Sequence, residues 1–186
     1  MGGDDALHGE VARALTLGGM SFMTGLTEVM GADRTTRLYH VGFEGPEAGS
    51  QYTVYAYISG GLLIAICGVR LTSDDPAGRL RMIEALTAKV PLARLIRDPR
   101  GGTPLLAWVE AANVLPPAGV PWASEQSHFL ATLPVNAVST GVRLLLAEFS
   151  EQVRSAEGER FPMLDLAVAA DPSSRSNIPA APKAKG

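Results

Sequence analysis

The sequence has 186 residues, a net charge of −3 with histidine neutral, 46% hydrophobic and 6% aromatic residues, and one cysteine. This length and apolar fraction fit one soluble globular domain with a substantial core, and they exclude an acidic disordered chain. A single cysteine also excludes a disulfide scaffold.

Charge and hydropathy along the chain argue against a nucleic-acid or membrane partner. The nearest approach to a basic cluster is formed by Arg94, Arg97 and Arg100 beside Arg79 and Arg81, and we interpret it as a solvated edge. No basic segment precedes an apolar run at the N-terminus, and residues 60–69 are half the length of a membrane-spanning helix. We therefore expect a cytoplasmic protein with Cys67 reduced.

The first 33 residues have helical spacing of apolar side chains. Residues 4–17 place four of them on one stripe: Leu7, Val11, Ala14 and Leu15. A second predicted helix, stopped by Gly31, is indicated by Phe22, Leu26, Val29 and Met30.

From residue 34 the period changes to two, which is typical of strands. Tyr39, Val41 and Phe43 alternate with their neighbours in a first strand, and residues 45–50 form a turn. Residues 51–59 form a second strand. After Gly60-Gly61, residues 62–71 are apolar at nearly every position, as in a strand covered on both faces. These segments predict a three-stranded antiparallel meander.

The second half of the chain predicts a helix, a hairpin and a final helical region. The helix begins near Pro76 with an Asp or Ser cap, ends at Pro91, and directs four apolar residues inward: Leu80, Ile83, Leu86 and Val90. Residues 92–98 and 103–114 form the hairpin. The final region spans about 123–153, is interrupted at Pro134, and carries an apolar stripe of Val138, Val142, Leu145, Phe149 and Val153.

Together these elements predict an α+β fold. It contains an antiparallel sheet of about five strands, made of the meander, a helix and the hairpin, with flanking helices. We assign residues 4–158 to a single domain and residues 159–186 to a C-terminal extension, disordered from about residue 171. Residues 161–170 are still apolar enough to dock.

The residue types that carry enzyme chemistry do not form a recognisable set. The three histidines, His8, His40 and His128, lie on separate predicted elements, so no zinc spacing is present. Cys67 lies in the most apolar strand, where burial makes a thiol inert, and Asp74-Asp75 are expected as helix caps. We predict no metal, no cofactor and no catalytic activity.

Aromatic residues are the remaining candidates for partner contact. Tyr52, Tyr55 and Tyr57 crowd one strand, with Tyr52 on the opposite face from the other two, and Trp108 lies on the last predicted strand. Tyrosine and tryptophan are favoured at interfaces, but they are equally ordinary on strands.

The order of elements supports one family resemblance. It is carried by SQYTVYAYISGGLLIAICGVRL, PAGRLRMIEALTAKVP, LARLIRDPRGGTPLLAWVE and VSTGVRLLLAEFSEQV, within residues 5–155. This order resembles the YbjN-like family of bacterial sensory transduction regulators, which is similar to the type III secretion chaperone fold. The resemblance implies a small α+β homodimer that binds another protein without catalysis.

We therefore predict a non-enzymatic protein-binding module, chaperone-like or regulatory, acting as a homodimer. One alternative is a small-molecule-sensing domain with a pocket between the tyrosine-bearing strand and the terminal helix. Another is a subunit of a larger assembly, with the tail from Asp171 as a docking arm.

Overall fold

The computed structural model describes residues 2–17, 23–30, 35–98, 105–117 and 125–156. These residues form three helices: α1 (Gly2–Leu17), α2 (Pro76–Lys89) and α3 (Glu125–Glu148). They also form seven strands: β1 (Met23–Met30), β2 (Thr35–Glu44), β3 (Gln51–Ser59), β4 (Leu62–Leu71), β5 (Arg94–Arg97), β6 (Leu105–Val114) and β7 (Val153–Ser155). The C-terminal extension assigned to 159–186 lies outside the described residues.

The strands form one antiparallel sheet, which confirms the predicted α+β fold. Their order is β1-β2-β3-β4-β6-β5, and β7 pairs with β4 on the same edge as β3, beyond the last residue of β4 that β3 pairs with. The bounds of β3 and β4 are the predicted ones. Gly60 and Gly61 join them with φ of 56° and 79°, a left-handed conformation that glycine adopts without strain. The predicted hairpin is present as β5 paired with β6.

The second predicted helix is wrong, because residues 23–30 form strand β1. Their backbone pairs with β2, from Met30 opposite Thr35 to Met23 opposite Val41. A short apolar run fits either period, so pairing with a neighbour decides its conformation. The β-branched residues Thr24, Thr27 and Val29 favour the extended form.

Helix α2 begins as predicted, and two of the four residues predicted to point inward, Leu86 and Val90, are buried. The Asp75 carboxylate caps it by accepting hydrogen bonds from the amides of Ala77 and Gly78, at 3.0 and 2.9 Å. The buried residues are Gly78, Met82 and Leu86. The prediction for Leu80 and Ile83 is wrong: these side chains are 56% and 42% exposed.

Helix α3 continues through Pro134, so the predicted interruption is wrong. A proline has no amide hydrogen, and the carbonyl four residues earlier, that of Leu130, loses its helical donor. The side-chain amide of Asn113 on β6 donates to this carbonyl at 2.9 Å. A neighbouring strand thus supplies the hydrogen bond that the helix lacks at this position.

The core lies between one face of the sheet and the helices. The predicted stripe of α3 is confirmed for Val138, Val142 and Leu145, each at most 1% exposed. The helix ends at Glu148, however, so Val153 belongs to β7 rather than to the helix. The predicted stripe of α1, from Leu7 to Leu15, is also buried.

Glycine at position 141 lets α3 approach its neighbours closely. A Cβ atom there would meet Leu86 Cδ2 of α2 and Val109 Cγ1 of β6, both at 3.1 Å. This close contact places α2, α3 and β6 around one point of the core.

One helix in the described part of the chain is long and apolar enough to cross a membrane. It is the stretch His128–Glu148 of α3, and 56% of its apolar window is buried inside the fold. This is the behaviour of the core helix of a soluble protein.

Candidate functional site

The strand register divides the aromatic residues between the two faces of the sheet. All three helices pack on one face, which we call the helix side: Arg37 and Tyr39 of β2 contact α1, and Val109 of β6 meets α3. We call the opposite face the outer face. Its packed apolar cluster comprises Leu38, Tyr55, Tyr57, Ile64, Ile66 and Trp108.

Tyr52 lies on the helix side and is a core residue. Its hydroxyl donates to the Ser139 carbonyl of α3 at 3.0 Å and lies 2.9 Å from Ser139 Oγ. Its ring stacks on Phe43, with centroids 5.7 Å apart. Burial raises the pKa of Tyr52 to about 12, partly offset by the hydrogen bond to Ser139. The side chain joins β3 directly to α3, where the alternative hypothesis expected a ligand pocket.

Tyr55, Tyr57 and Trp108 share the outer face, as alternation along β3 predicted for the two tyrosines. Register brings Trp108 into the group, because it pairs with Gly68 while Tyr55 pairs with Ile66, both on β4. The tyrosines are only 8% and 4% exposed, and Trp108 is half-buried. Burial, followed by the nearby negative charge of Glu110, raises the pKa of Tyr57 to about 12.

The most exposed large apolar side chains of the described residues lie elsewhere. Leu80 and Ile83, three residues apart on α2, share its outward side, and Leu92 follows the helix with 50% exposure. We call these three residues the α2 surface. A second exposed group, formed by Val114, Phe129 and Leu130, lies where the end of β6 meets the start of α3.

Three of the five arginines named for the basic edge, Arg79, Arg94 and Arg97, are paired with carboxylates, and Arg100 lies outside the described residues. Asp74 accepts from both Arg79 and Arg97 at 2.9 Å, and Glu110 accepts from Arg94 at 2.8 Å. Asp75 is the predicted helix cap, whereas Asp74 is an ion-pair partner. These pairs bind the guanidinium groups within the chain and neutralise part of their charge.

The other candidate groups are dispersed. His8 contacts the hydroxyl of Tyr39, His40 packs edge-on against Tyr55 at 5.0 Å, and Cys67 is buried on the helix side. Among the described residues, no three His, Cys, Asp or Glu side chains come together to hold a metal ion.

Two shallow polar cavities occur on the described surface. One, of about 360 Å³, is lined by Arg81, Glu148, Phe149, Ser150, Glu151 and Gln152. The other, of about 330 Å³, lies against the turn between β2 and β3, residues 44–51. Neither contains the aromatic residues selected from the sequence.

The α2 surface is the feature that sequence reasoning missed. The sequence contains a second set of residues at helical spacing on α2, Gly78, Met82 and Leu86. When two faces of a helix both carry such a set, spacing alone does not decide which face is buried. Comparison with known proteins adds no assignment: no protein-family model matches the sequence, and no curated protein matches it significantly.

Proposed function

We propose that this chain is a non-enzymatic protein-binding module, chaperone-like or regulatory, that works in the cytoplasm and contacts its partner through the α2 surface. The observation that carries the proposal is the exposure of Leu80 and Ile83 on a helix whose opposite side is in the core. Exposed aliphatic side chains aligned on one helix face are typical of surfaces that bind an apolar segment of another protein.

The charges around the α2 surface favour a protein partner over a polyanion. Arg79 pairs with Asp74 and Lys89 pairs with Glu148, so two cations of this helix are already engaged within the chain. Binding would therefore come mainly from burial of apolar area, which contributes about 25 cal/mol per Å². The partner that fits is an amphipathic helix or an extended apolar segment.

The size of the α2 surface favours a reversible contact. Three aliphatic side chains, each about half exposed, present much less than the roughly 800 Å² per partner of a standard stable interface. If the homodimer predicted from the sequence forms here, a second surface must contribute to it. A regulatory or chaperone-like encounter with another protein needs no such addition.

Replacing the aliphatic pair by charges tests the proposal. The double variant Leu80→Glu/Ile83→Glu alters only exposed side chains, and the matched control Arg81→Glu adds negative charge on the same helix without removing apolar area. Partners are first identified by quantitative affinity purification from the native host, and the Kd of each purified partner is then measured with all three proteins.

We expect the double variant to weaken binding at least tenfold, equivalent to about 1.4 kcal/mol, and the control to stay within twofold. Equal affinity of the wild type and the double variant for every partner would refute the role of α2. Light scattering on the same proteins tests whether the partner is a second copy of the chain. A dimeric wild type and a monomeric double variant would identify the chain itself as the partner.

A further inference from the structure

The outer face of the sheet is far more deeply buried than its position suggests. Leu38 is 0%, Tyr57 4% and Ile66 5% exposed, although α1, α2 and α3 all lie on the helix side. Adjacent side chains on one sheet layer shield each other only laterally, and an uncovered face is normally hydrated. Such burial of tyrosines and aliphatic residues requires a covering layer.

The path of β7 directs the chain toward this face. Residues Val153–Ser155 of β7 pair with Leu71–Val69 of β4. Strand β3 pairs with the same edge of β4, from Ile66 to Leu62. Ala156, the last described residue, is itself only 3% exposed and lies next to the point where β3 takes over the edge of β4, so this edge offers no further pairing. Helix α3 packs over β3 and β4 on the helix side, which leaves the outer face as the exit.

The sequence beyond this point has the composition and the reach for the task. Residues 157–160 are Glu-Gly-Glu-Arg, and residues 161–170, Phe-Pro-Met-Leu-Asp-Leu-Ala-Val-Ala-Ala, carry a single charge. Four extended residues span about 13 Å, whereas two strand spacings, from β4 to β2, amount to about 10 Å. The linker is therefore long enough for the apolar segment to reach every strand that carries the buried cluster.

We propose that residues 161–170 of this chain pack on the outer face of the sheet and cover Tyr55, Tyr57 and Ile66. The sheet is then sandwiched between α3 on one side and the chain's own C-terminal segment on the other. The α2 surface lies on a different part of the molecule and is not affected by this packing. It assigns the aromatic strand an internal ligand in place of a separate protein partner.

Photo-cross-linking of the full-length protein tests both the contact and its origin. Phe161 is replaced by p-benzoylphenylalanine, an aromatic amino acid of similar shape, and an equal mixture of ¹⁴N- and ¹⁵N-labelled chains is irradiated and digested. The matched control carries the same amino acid at Ile178, the apolar residue in the following Pro/Ser/Ala-rich stretch.

We expect cross-links from position 161 to peptides of β2, β3, β4 or β6 within chains of one isotope, at yields at least fivefold above those from position 178. Mixed-isotope cross-links to the same peptides would overturn the proposal and identify a second copy as the occupant. An absence of cross-links to these strands would also overturn it and leave the face to another protein.

Shortening the chain gives a second readout. Deletion of 157–186 is compared with deletion of 171–186, and the phenolic groups are titrated by absorbance at 295 nm. The titration step of Tyr57 is identified by its absence in Tyr57→Phe. We expect the longer deletion to lower the pKa of Tyr57 toward the ordinary value of about 10. The shorter deletion should leave it unchanged. Unaltered titration after the longer deletion would refute the proposal, and if that chain does not fold, the cross-linking result decides.

Discussion

The hydrogen bond from Asn113 to Leu130 gives a quantitative test of how α3 tolerates a proline. The variant Asn113→Ala removes the donor that replaces the missing amide hydrogen of Pro134. A hydrogen bond of this kind contributes about 1 kcal/mol net, since water can partly substitute at a carbonyl whose residue is 37% exposed. In Pro134→Ala, the amide of residue 134 becomes available to donate to the same carbonyl.

A double-mutant cycle therefore isolates this interaction. We expect Asn113→Ala to lower the free energy of unfolding by about 1 kcal/mol more in the Pro134 protein than in the Pro134→Ala background. Loss of other contacts made by the Asn113 side chain is common to both backgrounds and cancels. The measurement is urea unfolding followed by far-UV circular dichroism. Equal destabilisation in both backgrounds would show that the strand does not compensate for the proline.

Four further predictions concern stability. Gly9→Ala should stabilise α1 by up to about 1 kcal/mol, because no atom lies within 4 Å of the added Cβ. Gly141→Val should destabilise the protein by at least about 2 kcal/mol, because the larger side chain overpacks the core. Thermal unfolding measures both. Asp75→Ala should cost about 1 kcal/mol in urea unfolding through loss of the α2 cap, and Asp75→Asn should retain most of it. The pKa of Tyr57 is raised in the folded protein, so the unfolded chain releases this phenolic proton at lower pH. The free energy of unfolding should therefore fall between about pH 10 and pH 12, and it should fall less steeply in Tyr57→Phe. A difference in stability between wild type and Tyr57→Phe that does not change with pH would contradict this.

Local sequence signals predicted those elements whose conformation is decided within a few residues. The alternation in β3, the glycine pair after it and the capping carboxylate before α2 each have a local cause. Strand β1 has none of comparable strength, because residues 23–30 fit both periods until β2 pairs with them. The three residues of β7 are a strand only because the edge of β4 is available beyond Ile66, the last residue of β4 that pairs with β3.

The site could be predicted only in part for a similar reason. Alternation separates Tyr52 from Tyr55 and Tyr57, but only the register between β4 and β6 places Trp108 on the tyrosines' face. Tolerance of Pro134 in α3 depends on a donor from a different strand, Asn113. These are properties of residues distant in sequence, and periodicity within one segment carries no information on them.

The proposed partner role of the exposed side chains of α2 can be separated from a role in the fold by their contribution to stability. Three of its fourteen residues are buried, so packing holds the helix through a narrow stripe from Gly78 to Leu86. Leu80 and Ile83 add little burial to that stripe, because about half of each side chain remains in water. Their removal should therefore change the free energy of unfolding by no more than about 0.5 kcal/mol, the usual range for surface substitutions. A loss of binding without a loss of stability in Leu80→Glu/Ile83→Glu would separate the two roles of this helix, whereas a matching loss of stability would assign both residues to the fold.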